Sequence, residues 1–371
     1  MGLSVAGQDD GQQYRVIDQK ALGLGSDHVH SWIALAPDMR TLAVSGTGSS
    51  PLLILDATAL TVLRTIDTGD WRIGSRVTHS TTGKYLLLEA IEYLAYSPRG
   101  KHARRFAVLD PASGKMVLRE VHAFAAAISA DEMVLYSIDN DGIQMTDIAT
   151  GSAKHIPALS RIGSALAVSP DGGRIAIAYD PTEADLSLIP SLRNDKKAIK
   201  AALKIGQVVH VHDLATGAFL FSVNELFDRA FRLTYSPDGK ELWIHAKPAA
   251  HKSANPDGTL SYLDVVDAYT GAMQRASFPS HAQYEPTFCG DPTNSLFAIG
   301  SQRGRYLEVH LYDRATTSMA GRFILDERLF SKLKEQGGKW SDQRVGFALL
   351  PDDKRMVMTS ASRLVEWTYA P

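Results

Sequence analysis

Three arginines and one glutamate are the residues of this sequence best suited to binding a charged ligand. Arg76, Arg232 and Arg344 each lie shortly before a turn between two strand-like segments, and Glu285 lies in a similar place. A guanidinium group can bind a carboxylate or a phosphate through two parallel hydrogen bonds. If the strands that carry these residues surround one axis, the sequence predicts a funnel that binds an anionic group. The same arginines could instead form ion pairs, for example with Glu285, so both interpretations stay open.

Histidines provide a second candidate chemistry. The pairs His28/His30 and His210/His212 each place two imidazoles on one face of a strand. Two imidazoles are half of a metal site, but no third ligand is fixed by the spacing. Structural or surface roles are therefore favoured, and no metal or cofactor is predicted. His30 and the nearby Trp32 are kept as candidate ligand-binding residues.

Linear catalytic motifs are missing from the sequence. It contains no G-x-S-x-G nucleophile elbow, no phosphate-binding P-loop and no H-E-x-x-H zinc motif. Cys289 is the only cysteine, which excludes an internal disulfide framework and a cysteine-based zinc site. Its place in an inner strand predicts a buried small hydrophobic residue.

Basic residues gather in the long segments between the strands. Those kept as candidates for binding are Arg104, Arg105, Lys196 and Lys197. They are interpreted either as solvated loop tips or as a surface for an acidic partner. The long segments are 91–105, 181–206, 247–262 and 326–342. A short helix is predicted through Lys204 with Asn194 or Asp195 as its cap, and a second over 326–334.

A repeated unit must position these residues. Its first turn is of the Ser-Pro-Asp-Gly type, in which proline presets φ, aspartate caps the turn and glycine adopts positive φ. Seven versions occur, and a strand-like segment follows each. They are APDM (36–39), STTG (80–83), SADE (129–132), SPDG (169–172), SPDG (236–239), GDPT (290–293) and LPDD (350–353).

A second turn of the type D-x-x-T-G follows the third strand of most units. It begins at Asp56, Asp110, Asp147, Asp213, Asp267 and Asp313, and a fourth strand follows it each time. Four antiparallel strands per unit, repeated around an axis, are typical of the blades of a β-propeller. The sequence therefore predicts an all-β, seven-bladed propeller that forms a single domain over residues 1–371.

The seventh unit lacks a fourth strand at the carboxyl terminus. The amino terminus has one to spare, at 13–22, before the first unit begins. Pairing this strand with the last strand would complete blade 7 and leave no open edge there. On this arrangement, the two repeated turns lie on one side of the blades and all the long segments on the other.

The repeated SPDG and D-x-x-TG turns resemble those of WD40-like and YVTN-like bacterial β-propellers over nearly the whole chain. The Gly-His and Trp-Asp dipeptides of eukaryotic WD40 repeats are absent from the sequence. The resemblance implies a fold, and it implies no particular function. Enzymatic propellers, such as lactonases, build their sites from scattered residues around the channel, so the missing motifs argue only weakly against catalysis.

The composition is that of an ordinary globular protein. The 371 residues are 44% hydrophobic and 22% charged, with a net charge of −2. No basic excess favours nucleic acid as a partner. No apolar run approaches the roughly 20 residues of a membrane helix. The sequence as written has no signal peptide, which indicates a cytoplasmic protein, or a periplasmic or secreted one if a leader has been removed.

These patterns favour a non-catalytic binding or scaffold protein. Its expected ligand is a protein partner or a small anionic molecule, bound at the side of the propeller that carries the long loops and at the funnel. The alternative is a lactonase-like hydrolase with a metal or an Arg/His/Glu site in the funnel.

Overall fold

The structure is a computed structural model of the chain. It describes residues 14–17, 22–23, 29–47, 50–71, 76–90, 104–248, 260–274, 278–281, 288–290, 295–303, 306–325, 346–350, 354–360 and 363–369. These residues form seven sheets, each of four antiparallel strands. Six sheets consist of strands consecutive in the chain, and the seventh joins the last three strands to the first. The predicted seven units of four strands are confirmed.

The sheets belong to two compact units. The first comprises Met1–Glu92, Ala107–Arg119 and Pro286–Pro371, and the second comprises Tyr93–Phe106 and Glu120–Glu285. The prediction of a single domain stays a prediction.

The first unit contains blades 6, 7 and 1 and most of blade 2. Blade 1 is β2 (Val29–Leu35), β3 (Thr41–Thr47), β4 (Leu52–Asp56) and β5 (Val62–Ile66). Blade 2 is β6 (Arg76–His79), β7 (Leu86–Ala90), β8 (Arg104–Asp110) and β9 (Lys115–Ala123). Blade 6 is β22 (Phe288–Gly290), β23 (Leu296–Arg303), β24 (Tyr306–Asp313) and β25 (Met319–Leu325). Blade 7 is β26 (Phe347–Leu350), β27 (Arg355–Ser360), β28 (Arg363–Thr368) and β1 (Tyr14–Ile17). A short 3-10 helix, Gly69–Trp71, follows blade 1.

The second unit contains blades 3, 4 and 5. Blade 3 is β10 (Ala125–Ile128), β11 (Val134–Asp139), β12 (Gly142–Asp147) and β13 (Ala153–His155). Blade 4 is β14 (Gly163–Val168), β15 (Arg174–Tyr179), β16 (Val208–Asp213) and β17 (Phe219–Ser222). Blade 5 is β18 (Phe227–Tyr235), β19 (Glu241–Pro248), β20 (Leu260–Asp267) and β21 (Phe278–His281). Helices α1 (Glu183–Ser187) and α2 (Lys196–Ile205) lie between β15 and β16, and a 3-10 turn, Pro157–Leu159, follows blade 3. The strands of each blade are called a to d in the order given.

The a–b turns have the predicted chemistry. In blade 4 the Ser169 hydroxyl donates to Asp171 and accepts the backbone N–H of Arg174 at 2.9 Å. These bonds hold the Asp171 carboxylate in place, and the Ser169 bond is the main reason that its pKa lies below the usual value. Gly172 has φ +71° whereas Gly173 is outside the left-handed region, which confirms Gly172 as the turn residue.

The c–d turns follow the same logic with a different cap. In blade 5 the Asp267 carboxylate accepts the backbone N–H of Thr270 at 2.8 Å and its hydroxyl at 2.9 Å. Gly271 has φ +71°, and a Cβ atom there would lie 2.7 Å from the carbonyl oxygen of Ser222 in blade 4. The glycine is therefore required twice, once by the backbone conformation and once by the packing of blade 5 against blade 4.

Neighbouring blades in each unit share hydrophobic cores. One core joins the faces of blades 4 and 5, with Phe227, Leu242 and Val266 among its buried residues. Others join blades 7 and 1, blades 1 and 2, and blades 6 and 7. These strands bury residues on both faces, so their sequences read as continuous apolar runs such as RIAIAY in β15.

Arginines at the start of strand b add polar links between blades that the sequence did not predict. Arg174 of blade 4 donates at 2.8 Å to the carbonyl oxygen of Ala268 in the c–d turn of blade 5. Arg355 of blade 7 donates at 3.3 Å to the carbonyl oxygen of Ala57, which has the same place in the c–d turn of blade 1. A repeated position thus ties one blade to the next in both units.

The amino-terminal strand completes blade 7 as predicted. β1 pairs antiparallel with β28, with Val16 opposite Val365. The pairing places Arg15 beside Glu366, at 2.6 Å, and Glu366 also contacts Arg355 of β27. The two ends of the chain are thereby joined in one sheet.

No helix among the described residues is long and apolar enough to cross a membrane.

Candidate functional site

Among the described residues, the b–c connection of blade 4 departs most from the repeat. Between β15 and β16 the chain forms α1 and α2 instead of a tight turn. Helix α1 begins with a capping box, in which Thr182 and Asp185 each accept the other's backbone N–H. Helix α2 begins at Asp195, whose carboxylate accepts the backbone N–H of Ala198 at 2.9 Å. The predicted cap and helix are confirmed, whereas α1 was not predicted. This segment, 181–206, is called the blade 4 insertion.

Helix α2 has one apolar face and one cationic face. Ala202 is buried, and Ile199 and Leu203 pack against the core shared by blades 3 and 4. The four lysines of the helix, namely Lys196, Lys197, Lys200 and Lys204, are all exposed. The helix contains no acidic residue. Because the lysines are spaced by one to four residues, they form one stripe about 12 Å long. This stripe is called the lysine face.

The lysine face is unfavourable for the stability of the helix. Lys196 and Lys200, and Lys200 and Lys204, are like charges four residues apart, which destabilises a helix by a few tenths of a kcal/mol per pair. Lys196 and Lys197 also lie at the amino-terminal end, where the helix dipole favours negative charge. The helix dipole favours Lys204, in the last turn, but helix stability does not explain Lys196, Lys197 and Lys200.

A partly buried ion pair fixes the insertion to the blades. Arg161, in the segment that leads into blade 4, donates to both carboxylate oxygens of Asp185 at 3.0 and 2.8 Å. It also donates to the carbonyl oxygen of Asp180 at 2.9 Å and lies 4.6 Å above the ring of Tyr179. Burial alone would raise the pKa of Asp185, but the hydrogen bonds from Arg161 and Thr182 outweigh it and hold that pKa below its usual value. The start of the insertion is thereby held in a defined position.

His210 and His212 lie beside this anchor. Their rings are on one face of β16, as predicted, with centroids 6.1 Å apart. Tyr179 and Phe219 pack edge-on against both rings. Burial lowers the pKa of His210 to about 4, so the ring is neutral at pH 7. Among the described residues no third ligand completes a metal site here, and the pair belongs to an aromatic cluster.

Gln207 links the end of the insertion to blade 5. Its side-chain oxygen accepts the backbone N–H of Ala230 at 2.9 Å, and its nitrogen donates to Asp180 at 3.1 Å. The residue is buried, so these hydrogen bonds are needed to offset its desolvation. Both ends of the insertion are thus bonded to the blades, and the apolar residues of its helices pack on the core of blades 3 and 4.

The predicted funnel residues lie in two separate units or outside the described residues. Arg76, in β6, is buried, contacts Glu89 of the neighbouring strand at 3.4 Å, and lies 4.6 Å above the ring of Trp32. Arg232 is half-buried in β18 and lies opposite His245 of β19. Arg344 and Glu285 fall outside the described residues, so their place around a common axis stays a prediction.

Most other predicted residues are placed by the structure. His30 lies in β2, where the structure does not describe its side chain, and His28 is outside the described residues. Arg104 and Arg105 begin β8 and are half-buried, so they are strand residues and not loop tips. Cys289, in β22, is half-buried and packs against the core of blades 6 and 7. The helix predicted over 326–334 lies outside the described residues.

Sequence reasoning missed Arg161, Asp185 and Gln207, which hold the insertion in place. The pattern Thr182-x-x-Asp185 is a capping-box signal and could have predicted α1. Arg161 and Gln207 carry no such local signal, because their partners are more than 20 residues away in the chain.

Comparisons with known proteins identify the fold. No family model matches the chain, and no curated protein matches it. Two solved structures are similar over 92% of this chain and 97% of their own. One is the Kuenenia stuttgartiensis hydrazine synthase, with a TM-score of 0.52 at 14% identity. The other is the β-propeller domain of Cps50 (Swd1) from Myceliophteria thermophila, with a TM-score of 0.58 at 12% identity. The fold is a seven-bladed β-propeller. The identities are too low to transfer an activity or a partner, and the resemblance to YVTN-like bacterial propellers stays a prediction.

Proposed function

We propose that this propeller is a non-catalytic binding scaffold and that the blade 4 insertion is its main contact surface for an acidic protein segment. The lysine face of α2 carries the proposal. It presents four exposed ammonium groups with no acid in the helix, at a cost in helix stability. The repulsion between these lysines weakens the helix, and an acidic partner that neutralises their charge would account for their presence.

The rigid attachment of the insertion supports the same function. A surface that is already ordered loses little conformational entropy on binding, and more of the contact energy appears as affinity. Arg161, Asp185 and Gln207 provide this order, because they bond both ends of the insertion to blades 4 and 5.

An acidic polypeptide fits the lysine face better than a nucleic acid does. The net charge of the chain is −2, whereas nucleic-acid-binding domains commonly carry a broad basic field. The stripe is about 12 Å long, which matches three or four acidic side chains on successive turns of a helix or along a short extended segment.

The anion-binding funnel that the sequence predicts for Arg76, Arg232 and Arg344 stays a prediction and is kept as a second element of this proposal. It would bind a single anionic group of the same partner or a small anionic molecule. Glu285 would offset part of the charge that the arginines bring together.

A matched pair of charge reversals tests the insertion. Lys200→Glu lies in the lysine face, whereas Lys240→Glu lies in the a–b turn of blade 5, and both lysines are exposed. The probe is a fluorescein-labelled peptide rich in Asp and Glu, followed by anisotropy at low and physiological salt. We expect K200E to weaken binding by about 5-fold or more, with K240E near the wild-type value, because attraction between exposed charges is local and screened.

Lys196 and Lys197 of the lysine face should act through the rate of association. We expect the double variant Lys196→Glu/Lys197→Glu to lower the association rate and to reduce the salt dependence, with a smaller change in the dissociation rate. Equal effects of K200E and K240E would contradict the proposed surface. Binding of a single-stranded oligonucleotide more tightly than of the peptide would contradict the partner class.

A further inference from the structure

Three side chains with metal-binding atoms converge at one corner of blade 3, outside the blade 4 insertion. Asp139 ends β11, Asp141 lies in the two-residue b–c turn, and His155 ends β13. The two carboxylate oxygens and the imidazole nitrogen all lie within 4.8 Å of one another. The b–c hairpin therefore supplies two of the donors, and the separate strand β13 supplies the third.

Backbone pairing holds the b–c hairpin and the end of β13 in place. Asp139 is paired with Gly142 across the b–c turn, and His155 is paired with Gln144. The residue after His155, Ile156, donates its backbone N–H to the carbonyl oxygen of Ile143 at 2.8 Å. A Cβ atom on Gly142 would lie 2.2 Å from the carbonyl oxygen of Leu159. The turn that carries Asp141 is thus packed directly on the segment that follows His155, and the donors are held together before any ligand arrives.

The imidazole of His155 and the carboxylate of Asp139 lie close together but form no hydrogen bond with each other. The Nε2 atom of His155 lies 3.6 Å from the Oδ2 atom of Asp139, which is beyond a normal hydrogen bond. The other oxygen of Asp139 accepts the backbone N–H of Asp141 at 2.7 Å, so it is Oδ2 that points to the histidine. Among the described residues, neither carboxylate forms an ion pair with a lysine or an arginine. Two carboxylates thus lie close together, with the imidazole of His155 beside them.

We propose that Asp139, Asp141 and His155 bind a divalent transition-metal ion of the zinc class. Two donors that each lie about 2.0–2.2 Å from one ion are at most about 4.4 Å apart, so the observed separations need only small side-chain movements. The imidazole selects against calcium and magnesium, which prefer oxygen donors alone. Asp139 is about a quarter exposed and His155 is two-fifths exposed, so water completes the coordination. This site is independent of the binding function proposed above.

Titration of the full-length chain with zinc chloride, followed by calorimetry, tests the site. We expect one ion per chain, bound at least about 10-fold more weakly by His155→Ala and by Asp141→Asn. Loss of an outer-shell partner already lowers metal affinity by about 10-fold or more, and loss of a ligand should lower it further. His122→Ala is the control, because His122 is an exposed histidine that belongs to no such cluster among the described residues. Zinc should also raise the melting temperature of the wild type and of H122A, but not that of H155A.

The variants must fold for the comparison to hold. Melting of each variant in the presence of a chelator checks this, and His155→Gln replaces H155A if the alanine variant is unfolded. Equal zinc affinity in the wild type, H155Q and D141N would overturn the proposal. So would a calcium affinity that exceeds the zinc affinity in the wild type, because the acidic turn would then bind alone.

Discussion

The two ends of blade 4 differ: one is a turn that recurs in other blades, and the other is the blade 4 insertion. At the a–b end, Ser169, Asp171 and Gly172 form a turn that recurs in blade 5 as Ser236, Asp238 and Gly239. At the b–c end, the insertion with α1 and α2 has no counterpart among the described residues of the other blades. At the repeated end, turn residues make the hydrogen bonds that the local backbone needs, and these residues identify the fold. The unique end uses buried polar residues to hold a charged helix, and we place the function there.

Acidification should destabilise the insertion side of blade 4 through the buried residue His210. Burial lowers the pKa of His210 from 6.5 to about 4. Below pH 6.5 the unfolded chain binds the proton that the folded chain excludes. The stability that the neutral ring contributes is therefore present above pH 6.5 and is lost as the pH falls towards 4, by about 3 kcal/mol.

The pH dependence of the free energy of unfolding in urea checks this prediction. Asp185, His212 and Arg161 surround His210, and the carboxylate of Asp185 loses its own stabilisation only at lower pH because its pKa is lowered. His210→Phe should flatten the curve between pH 6.5 and 4. Burial in blade 2 also lowers the pKa of His79 to about 4. His79 should therefore still contribute to the pH dependence of the free energy of unfolding in that variant. A curve that H210F leaves unchanged would refute the assignment.

Removing the anchor should be the next largest effect. In Asp185→Asn the bidentate partner of Arg161 becomes neutral, while the shape of the side chain is kept. We expect a loss of about 2–3 kcal/mol, below the full value for a buried pair because Arg161 is about a third exposed. Hydrogen exchange should rise in 181–206 before it rises in the a–b turn. Uniform acceleration along blade 4 would show that the insertion is not a separately anchored element.

The repeated turn should respond less, and only at one of its two glycines. Gly172→Val forces a β-branched residue into φ +71° and should cost about 1–2 kcal/mol. Gly173→Val should cost less, because Gly173 lies outside the left-handed region. The midpoint of thermal unfolding distinguishes the two variants. The reverse order would mean that the turn has a different register in solution.

The sequence predicts the repeated parts of this molecule well, for a physical reason. The Ser-Pro-Asp-Gly and Asp-x-x-Thr-Gly turns are stabilised by residues within the turn itself. Seven versions of the first and six of the second therefore identify strands a to d and also the pairing of β1 with β28. The cap of α2 at Asp195 is equally local and was predicted. Contacts between segments that are distant in the sequence could not be predicted in this way. Arg161 meets Asp185, and Gln207 meets Ala230, only because the blades pack side by side.

The candidate site shows the same division. The lysines of α2 are visible in the sequence, but their exposure on one face of a fixed helix is a property of the packed insertion. Arg104 and Arg105 were predicted to be loop residues because they end the long segment 91–105, yet they begin β8. The corner of blade 3 was not predicted, since His155 is brought to Asp139 by the pairing of β12 with β13.

Lysine footprinting tests the central claim, that the lysine face of α2 is the contact surface, most directly. The protein is acetylated with a small amine-reactive reagent, with and without the Asp/Glu-rich peptide, and modification is measured by mass spectrometry. Protection is predicted at Lys196, Lys197, Lys200 and Lys204. The exposed lysines Lys115, at the start of β9, and Lys240, in the a–b turn of blade 5, should be unchanged. Protection of Lys115 and Lys240 to the same degree, or no protection of the four α2 lysines at saturating peptide, would contradict the account.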